Sequence, residues 1–178
     1  MSKRTKTDSA LENPKNFWPT PFSAAAPLAR ALPPATQYQE LCGGDGRLIG
    51  SLFAFGHVCV HAVDLEPRSS MVGLGDGRFA LPGVTIVTNP PFAWELLQPL
   101  LDAWVGRNET WLLLPWDMTC NLTMNQYARH IDRQLPLGRV SWLDNGKGGF
   151  ENYGWFRFAV EPQDFVLPRQ SKRITHSA

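Results

Sequence analysis

The chain has 178 residues, 43% of them hydrophobic and 19% charged, which supports one domain with a real core and excludes a disordered chain. It shows no apolar run long enough to span a membrane and no secretory leader, so a cytoplasmic protein is expected. A net charge of +1 neither demands nor forbids a nucleic-acid partner.

Charge is nevertheless concentrated at the ends, with Lys3, Arg4 and Lys6 at one and Arg169, Lys172 and Arg173 at the other. These suit flexible phosphate contacts or plain solubilising tails. The expected organisation is a flexible arm over 1–16, one domain over 17–162 and a basic tail over 163–178.

In chain order, residues 9–22 read as an extended arm rich in Pro and Asn, with little apolar surface of its own. Ser23 is placed to cap a helix through Ala24-Ala25-Ala26 to Leu32, stopped by Pro33-Pro34. Tyr38 to Cys42 reads as a short buried strand running into Gly43-Gly44-Asp45-Gly46. A helix follows from Arg47 to Phe55, with Gly56 at its C-terminal end. Val58 to Val63 is a second strand, ending at Asp64, and Val84 to Thr88 a third, which Pro90-Pro91 must terminate.

Trp94 to Val105 has helical periodicity despite Pro99, Trp111 to Leu114 is a strand, and Thr123 to Ile131 reads as a helix. Arg139 to Leu143 and Gly154 to Val160 form two strands joined by a loop too short for a helical crossover, hence an antiparallel hairpin. The alternation predicts an α/β, Rossmann-like fold: a mostly parallel sheet with helices on both faces and a C-terminal antiparallel hairpin.

The three cysteines, Cys42, Cys59 and Cys120, and the four histidines, His57, His61, His130 and His176, lack metal spacing. The thiols read as reduced and mostly buried, and His57 and His61 as structural.

Three polar signals fall at predicted strand ends, where open α/β sheets bind ligands. The first is Glu40-Leu41-Cys42-Gly43-Gly44-Asp45-Gly46, whose glycines allow close ligand approach and whose following helix offers free amides. Taken alone, a plain tight turn is the more frequent explanation for such glycines. The second is Asp64, about 20 residues on, where an acid can hold ribose hydroxyls or simply cap the next segment. The third is Thr88-Asn89-Pro90-Pro91-Phe92. Here the Asn89 side-chain oxygen and the Pro90 carbonyl can both accept from one substrate NH2 group. That discourages delocalisation of the nitrogen lone pair and sharpens the nucleophile, while Phe92 can stack on a flat substrate or serve as a buried loop aromatic.

In this order the residues resemble class I S-adenosylmethionine (SAM)-dependent methyltransferases. More narrowly, they resemble the branch that methylates amino groups, DNA N6-adenine methyltransferases in particular, over about Trp18 to Val160. The resemblance implies S-adenosylmethionine as cofactor and Asn89, Pro90, Pro91 and Phe92 as the catalytic residues. Trp18, Thr20 and Pro21 would close over the cofactor, with Glu40 toward its methionine end. Gly43, Gly44, Asp45 and Gly46 would line it, Asp64 and Leu65 would meet its ribose side, and Asn89 would also touch it. Asp76 would meet its adenine, although Asp76-Gly77-Arg78-Phe79 replaces the family's Asp-Phe.

Lys147 to Phe156 resembles a segment of small phage-encoded adenine methyltransferases, which implies a phage or prophage origin and a bacterial cytoplasm. The glycine turn departs from the family where many relatives carry Pro and Ala. Little chain remains after Val160, so target recognition would fall to short loops, tails or a specificity partner. The implied substrate is adenine in DNA. Adenine in RNA or a protein glutamine amide remain as alternatives, and a non-catalytic protein of the same fold as a further one.

Overall fold

The structure is a computed structural model that describes residues 17–142 and 149–163. The charged ends and the stretch from Lys147 to Gly148 that entered the sequence reading lie outside the described residues.

Helix α1 (Phe22–Ala31) begins at Pro21, not at a Ser23 cap. The Pro21 carbonyl takes the Ala24 and Ala25 amides at 3.0 and 3.1 Å, and the ring presets the backbone angle leading into the helix. Its alanines Ala24, Ala25, Ala26 and Ala29 are buried with Leu28, so a smooth face lies on the sheet. Strand β1 (Gln37–Glu40), helix α2 (Arg47–Phe53) and strand β2 (Val58–Asp64) follow as expected, then a two-residue strand β3 (Gly73–Leu74) that sequence pattern does not reveal. Strand β4 (Thr85–Thr88), helix α3 (Trp94–Trp104) and strand β5 (Thr110–Pro115) come next. Helix α3 buries Leu97, Leu100, Leu101 and Trp104, the three- and four-residue spacing that turns one helical stripe inward.

Two expectations fail beyond β5. The helix expected over Thr123–Ile131 is two short 3-10 turns (Trp116–Cys120 and Leu122–Met124) and a single turn α4 (Asn125–Ala128), because a strand begins at Ile131. That strand, β6 (Ile131–Arg139), pairs antiparallel with β7 (Asn152–Phe158), so the hairpin is real but its first strand lies ahead of Arg139–Leu143. β6 is an edge strand, which tolerates Pro136 and Gly138, and its register shifts at Ile131/Arg133 and Pro136/Gly138. Val140 and Trp142, which fall within the strand expected over Arg139–Leu143, are buried beyond the end of β6.

The seven strands lie in the order β3-β2-β1-β4-β5-β7-β6. All neighbours are parallel except β5–β7 and β7–β6. Alternate residues serve opposite faces. Trp111, Leu113 and Trp155 pack with α1 and α2, while Leu112, Leu114, Phe156 and Phe158 pack with α3. Burial on both faces explains the unbroken apolar run of β5. Trp155, fully buried, also donates from Nε1 to the Ala24 carbonyl at 2.8 Å and so ties β7 to α1.

No helix among the described residues is long and apolar enough to cross a membrane. Cys42 and Cys59 are half-buried and Cys120 is exposed, so the expectation of mostly buried thiols fails for Cys120. His57 is buried, with Nε2 2.8 Å from the Ala29 carbonyl.

Candidate functional site at the strand carboxyl ends

One cavity of about 410 Å³ opens at the carboxyl ends of β1, β2 and β4, a volume suited to a small ligand. It gathers Trp18, Thr20, Glu40, Gly43, Gly44, Asp45, Asp64, Leu65, Asp76, Asn89, Pro90, Pro91 and Phe92. These are all the candidate residues except Pro21 and Gly46. Those two sit at the starts of α1 and α2, and Gly46 has a left-handed backbone (φ +78°).

The glycine turn is braced by Asp64. One carboxylate oxygen accepts the Gly44 amide at 2.9 Å and the other the Glu66 amide at 2.8 Å. Asp64 therefore joins the loops after β1 and β2, and its remaining lone pairs are what it can offer a ligand. Gly44 has φ +49°, and a Cβ there would lie 2.9 Å from the Phe17 ring. A Cβ at Gly77 would lie 2.4 Å from the Leu41 carbonyl oxygen. Both positions are crowded by their own neighbours, which leaves room for glycine alone. Gly77→Ala is expected to destabilise the fold by about 1–3 kcal/mol, the scale of overpacking, measurable by denaturant unfolding. Unchanged stability would show that the loop carrying Asp76 shifts freely.

Glu40 is 1% exposed and lines the same cavity. Burial raises its carboxyl pKa to about 8, while the Thr88 hydroxyl and the Cys42 amide, the latter at 3.1 Å, act in the opposite direction and Asp64 adds to the rise. An acid whose folded pKa is raised holds its proton in the folded state after the unfolded chain has lost it. Stability therefore falls as pH rises from the ordinary carboxylate range toward about 8. Melting temperatures between pH 5.5 and 8.5 should drop more for the native protein than for Glu40→Gln. Parallel curves would contradict this.

Three acid–x–Arg sequences lie on the loops after β1, β2 and β3, and each is a closed pair. Arg47 reaches Asp45 at 3.0 Å, Arg68 reaches Glu66 at 3.9 Å and Arg78 reaches Asp76 at 2.5 Å. Arg78 also grips both Asp76 oxygens through Nε and holds its carboxyl below the usual range. Exposed pairs of this kind add little stability; they fix loop shape. Phe17, Arg68 and Arg78 line the cavity without having been singled out from sequence, and the Arg68 guanidinium lies 3.9 Å from the Phe17 ring centre. The threefold acid–x–Arg repetition was the available signal.

At the other end, Asn89 follows β4. Its Nδ2 donates to the Trp18 carbonyl at 2.8 Å, while its Oδ1 is buried and has no hydrogen-bond partner. An unpaired buried acceptor is costly, and a ligand N–H at the cavity wall would relieve it. Phe92 is half-buried and packs on Trp142 and Tyr153, with ring centres at 6.2 and 5.8 Å. The arm before α1 is anchored as well. Trp18 packs on Trp142 at 5.8 Å, and Thr20 and Pro21 are buried. The expectation that this stretch lacks apolar support is thus corrected for residues 17–21. Among the described residues no three His, Cys, Asp or Glu side chains are grouped to hold a metal.

No family model matches the chain, and no curated protein matches it. Solved structures do. A Pyrococcus horikoshii protein described as an RNA methyltransferase superposes with a TM-score of 0.62 at 14% identity, over 87% of this chain and 98% of that one. A Listeria monocytogenes protein described as a class I S-adenosylmethionine-dependent methyltransferase gives 0.57 at 14% identity, over 86% and 65%. The 23S rRNA methyltransferase ErmE gives 0.51 at 15% identity, over 82% and 71%. The chain therefore has the Rossmann-like class I methyltransferase fold, with its antiparallel terminal pair.

Proposed function

We propose that the chain transfers a methyl group from S-adenosylmethionine to an exocyclic amino group, with N6 of adenine in DNA as the substrate its residues suit best. The observation that carries this reading is the Asn89 amide at the cavity wall, its nitrogen engaged and its oxygen buried and unpartnered.

The residues present fit the cofactor. Gly44 and Gly77 line the cavity with bare backbone, Asp64 offers lone pairs at the end of β2, and Glu40 supplies a buried carboxyl beside the glycine turn. S-adenosylmethionine supplies a methyl group already activated by its sulfonium. The protein's share is positioning and electrostatics. Asn89 Oδ1 and the Pro90 carbonyl accept the two amine protons and hold the nitrogen lone pair out of conjugation. Phe92 flanks the base, which a duplex must first release from its stack. No strong general base is required, because the methylated amine is acidic and its proton leaves to solvent.

Adenine in RNA is the second reading, favoured by the RNA methyltransferase descriptions of two fold neighbours. Transfer of tritiated methyl to separate DNA, RNA and protein pools tests the proposal. Label should enter DNA, and binding to DNA should weaken as salt rises through release of phosphate counterions. Label confined to RNA would shift the substrate, and label confined to protein would point to the glutamine amide.

A further inference from the structure

We propose that Trp142, which lies outside the cavity, is a positioning residue that sets the orientation of the Asn89 amide by holding Trp18 in place. The kinetic part of this inference rests on the methyl-transfer reading; the structural part does not.

An Asn side chain can present either its oxygen or its NH2 to a ligand. A donor amine needs the oxygen. The choice is made on the far side of the amide, where the Trp18 carbonyl accepts from Nδ2 at 2.8 Å and so leaves Oδ1 as the free end. Trp18 belongs to neither helix nor strand. Its ring leans on Trp142, with centres 5.8 Å apart and planes at 57°.

Trp142 is 7% exposed and is not among the residues lining the cavity. It meets three rings at once: Trp18, then Phe92 at 6.2 Å, and Tyr153 of β7 at 5.1 Å and 81°. One side chain thus braces the segment that orients Asn89 and the aromatic of the same loop, and anchors both to the sheet through Tyr153. The other end of that segment reaches the glycine turn, where Phe17 sits against Gly44 and beneath Arg68. Residues 17 and 18 therefore bridge the two halves of the cavity, and Trp142 holds the bridge.

The test uses the full chain, first with neither cofactor nor acceptor. The Asn89 side-chain amide resonances in ¹⁵N-labelled protein are assigned by their loss in Asn89→Ala. In Trp142→Leu they should move toward solvent-exposed values and exchange with water faster by about tenfold, while the Gly44 amide, held by Asp64, stays put. Trp142→Phe keeps a ring and should fall between. It also decides the question if Trp142→Leu melts too early. With cofactor and acceptor, single-turnover methyl transfer by Trp142→Leu should fall by about 3- to 10-fold, the scale of one neutral hydrogen bond, while cofactor affinity falls by clearly less.

Asn89 resonances unmoved in both folded variants would overturn the proposal. So would a loss of cofactor affinity equal to the loss of rate, which marks general support of the cavity. Absence of methyl transfer by the native protein would refute the activity alone, and the resonances would still decide the role of Trp142.

Discussion

Asn89→Ala is expected to bind S-adenosylmethionine nearly as well as the native protein and to lose turnover by about 10²- to 10³-fold, the effect of removing one preorganised polar contact to a reacting group. The asymmetry follows from where the side chain's two ends point. Its nitrogen is spent within the protein, on the Trp18 carbonyl, and its oxygen is kept buried without a partner. That arrangement does little for an empty cavity and, on the proposed function, serves an incoming amine. Asn89→Asp keeps an accepting oxygen but loses the donor to Trp18, so its turnover should lie between the two. Calorimetry with the cofactor and single-turnover transfer to the acceptor separate the terms. Near-native transfer by Asn89→Ala would remove the mechanism while leaving the fold untouched.

Asp64→Ala should weaken S-adenosylmethionine binding by about 1.5–3 kcal/mol, or roughly 10- to 150-fold, the value of hydrogen bonds to a charged group. Part of that loss would be indirect, because Asp64 also holds the Gly44 and Glu66 amides. Asp64→Asn keeps one accepting oxygen and the side chain's shape, so it isolates the direct part. If calorimetry finds native affinity in a folded Asp64→Ala, Asp64 is a loop clamp and nothing more.

The parallel half of the sheet and most of the cavity could be read from sequence, for a physical reason. β1, β2 and β4 are short strands, and each is punctuated by residues that line the cavity: the glycine turn, Asp64 and Asn89-Pro90-Pro91. The same residues end the strand and furnish its carboxyl end, so locating one locates the other.

The antiparallel half was less legible. β6 carries Pro136, Gly138 and exposed polar residues, and two register shifts break its alternation. Val140 and Trp142 alternate convincingly but pack as irregular chain. Phe17 and Trp142 needed three dimensions, since their packing partners come from elsewhere in the chain, whereas the acid–x–Arg pairs are local and their repetition stood in the sequence. Sequence placed Phe92 as a stacking surface, while in the structure part of its ring is already taken by Trp142 and Tyr153. Its substitution by Ala should therefore disturb the loop as well as the base.

The central claim is that this cavity delivers a methyl group to an amine presented by Asn89 and Pro90. Digestion of DNA treated with the native protein and isotopically labelled S-adenosylmethionine, followed by mass spectrometry of the nucleosides, tests it most directly. The account predicts label in N6-methyl-2′-deoxyadenosine, strongly reduced with Asn89→Ala. Label on a ring carbon such as C5 of cytosine, or the same yield from both proteins, would contradict it.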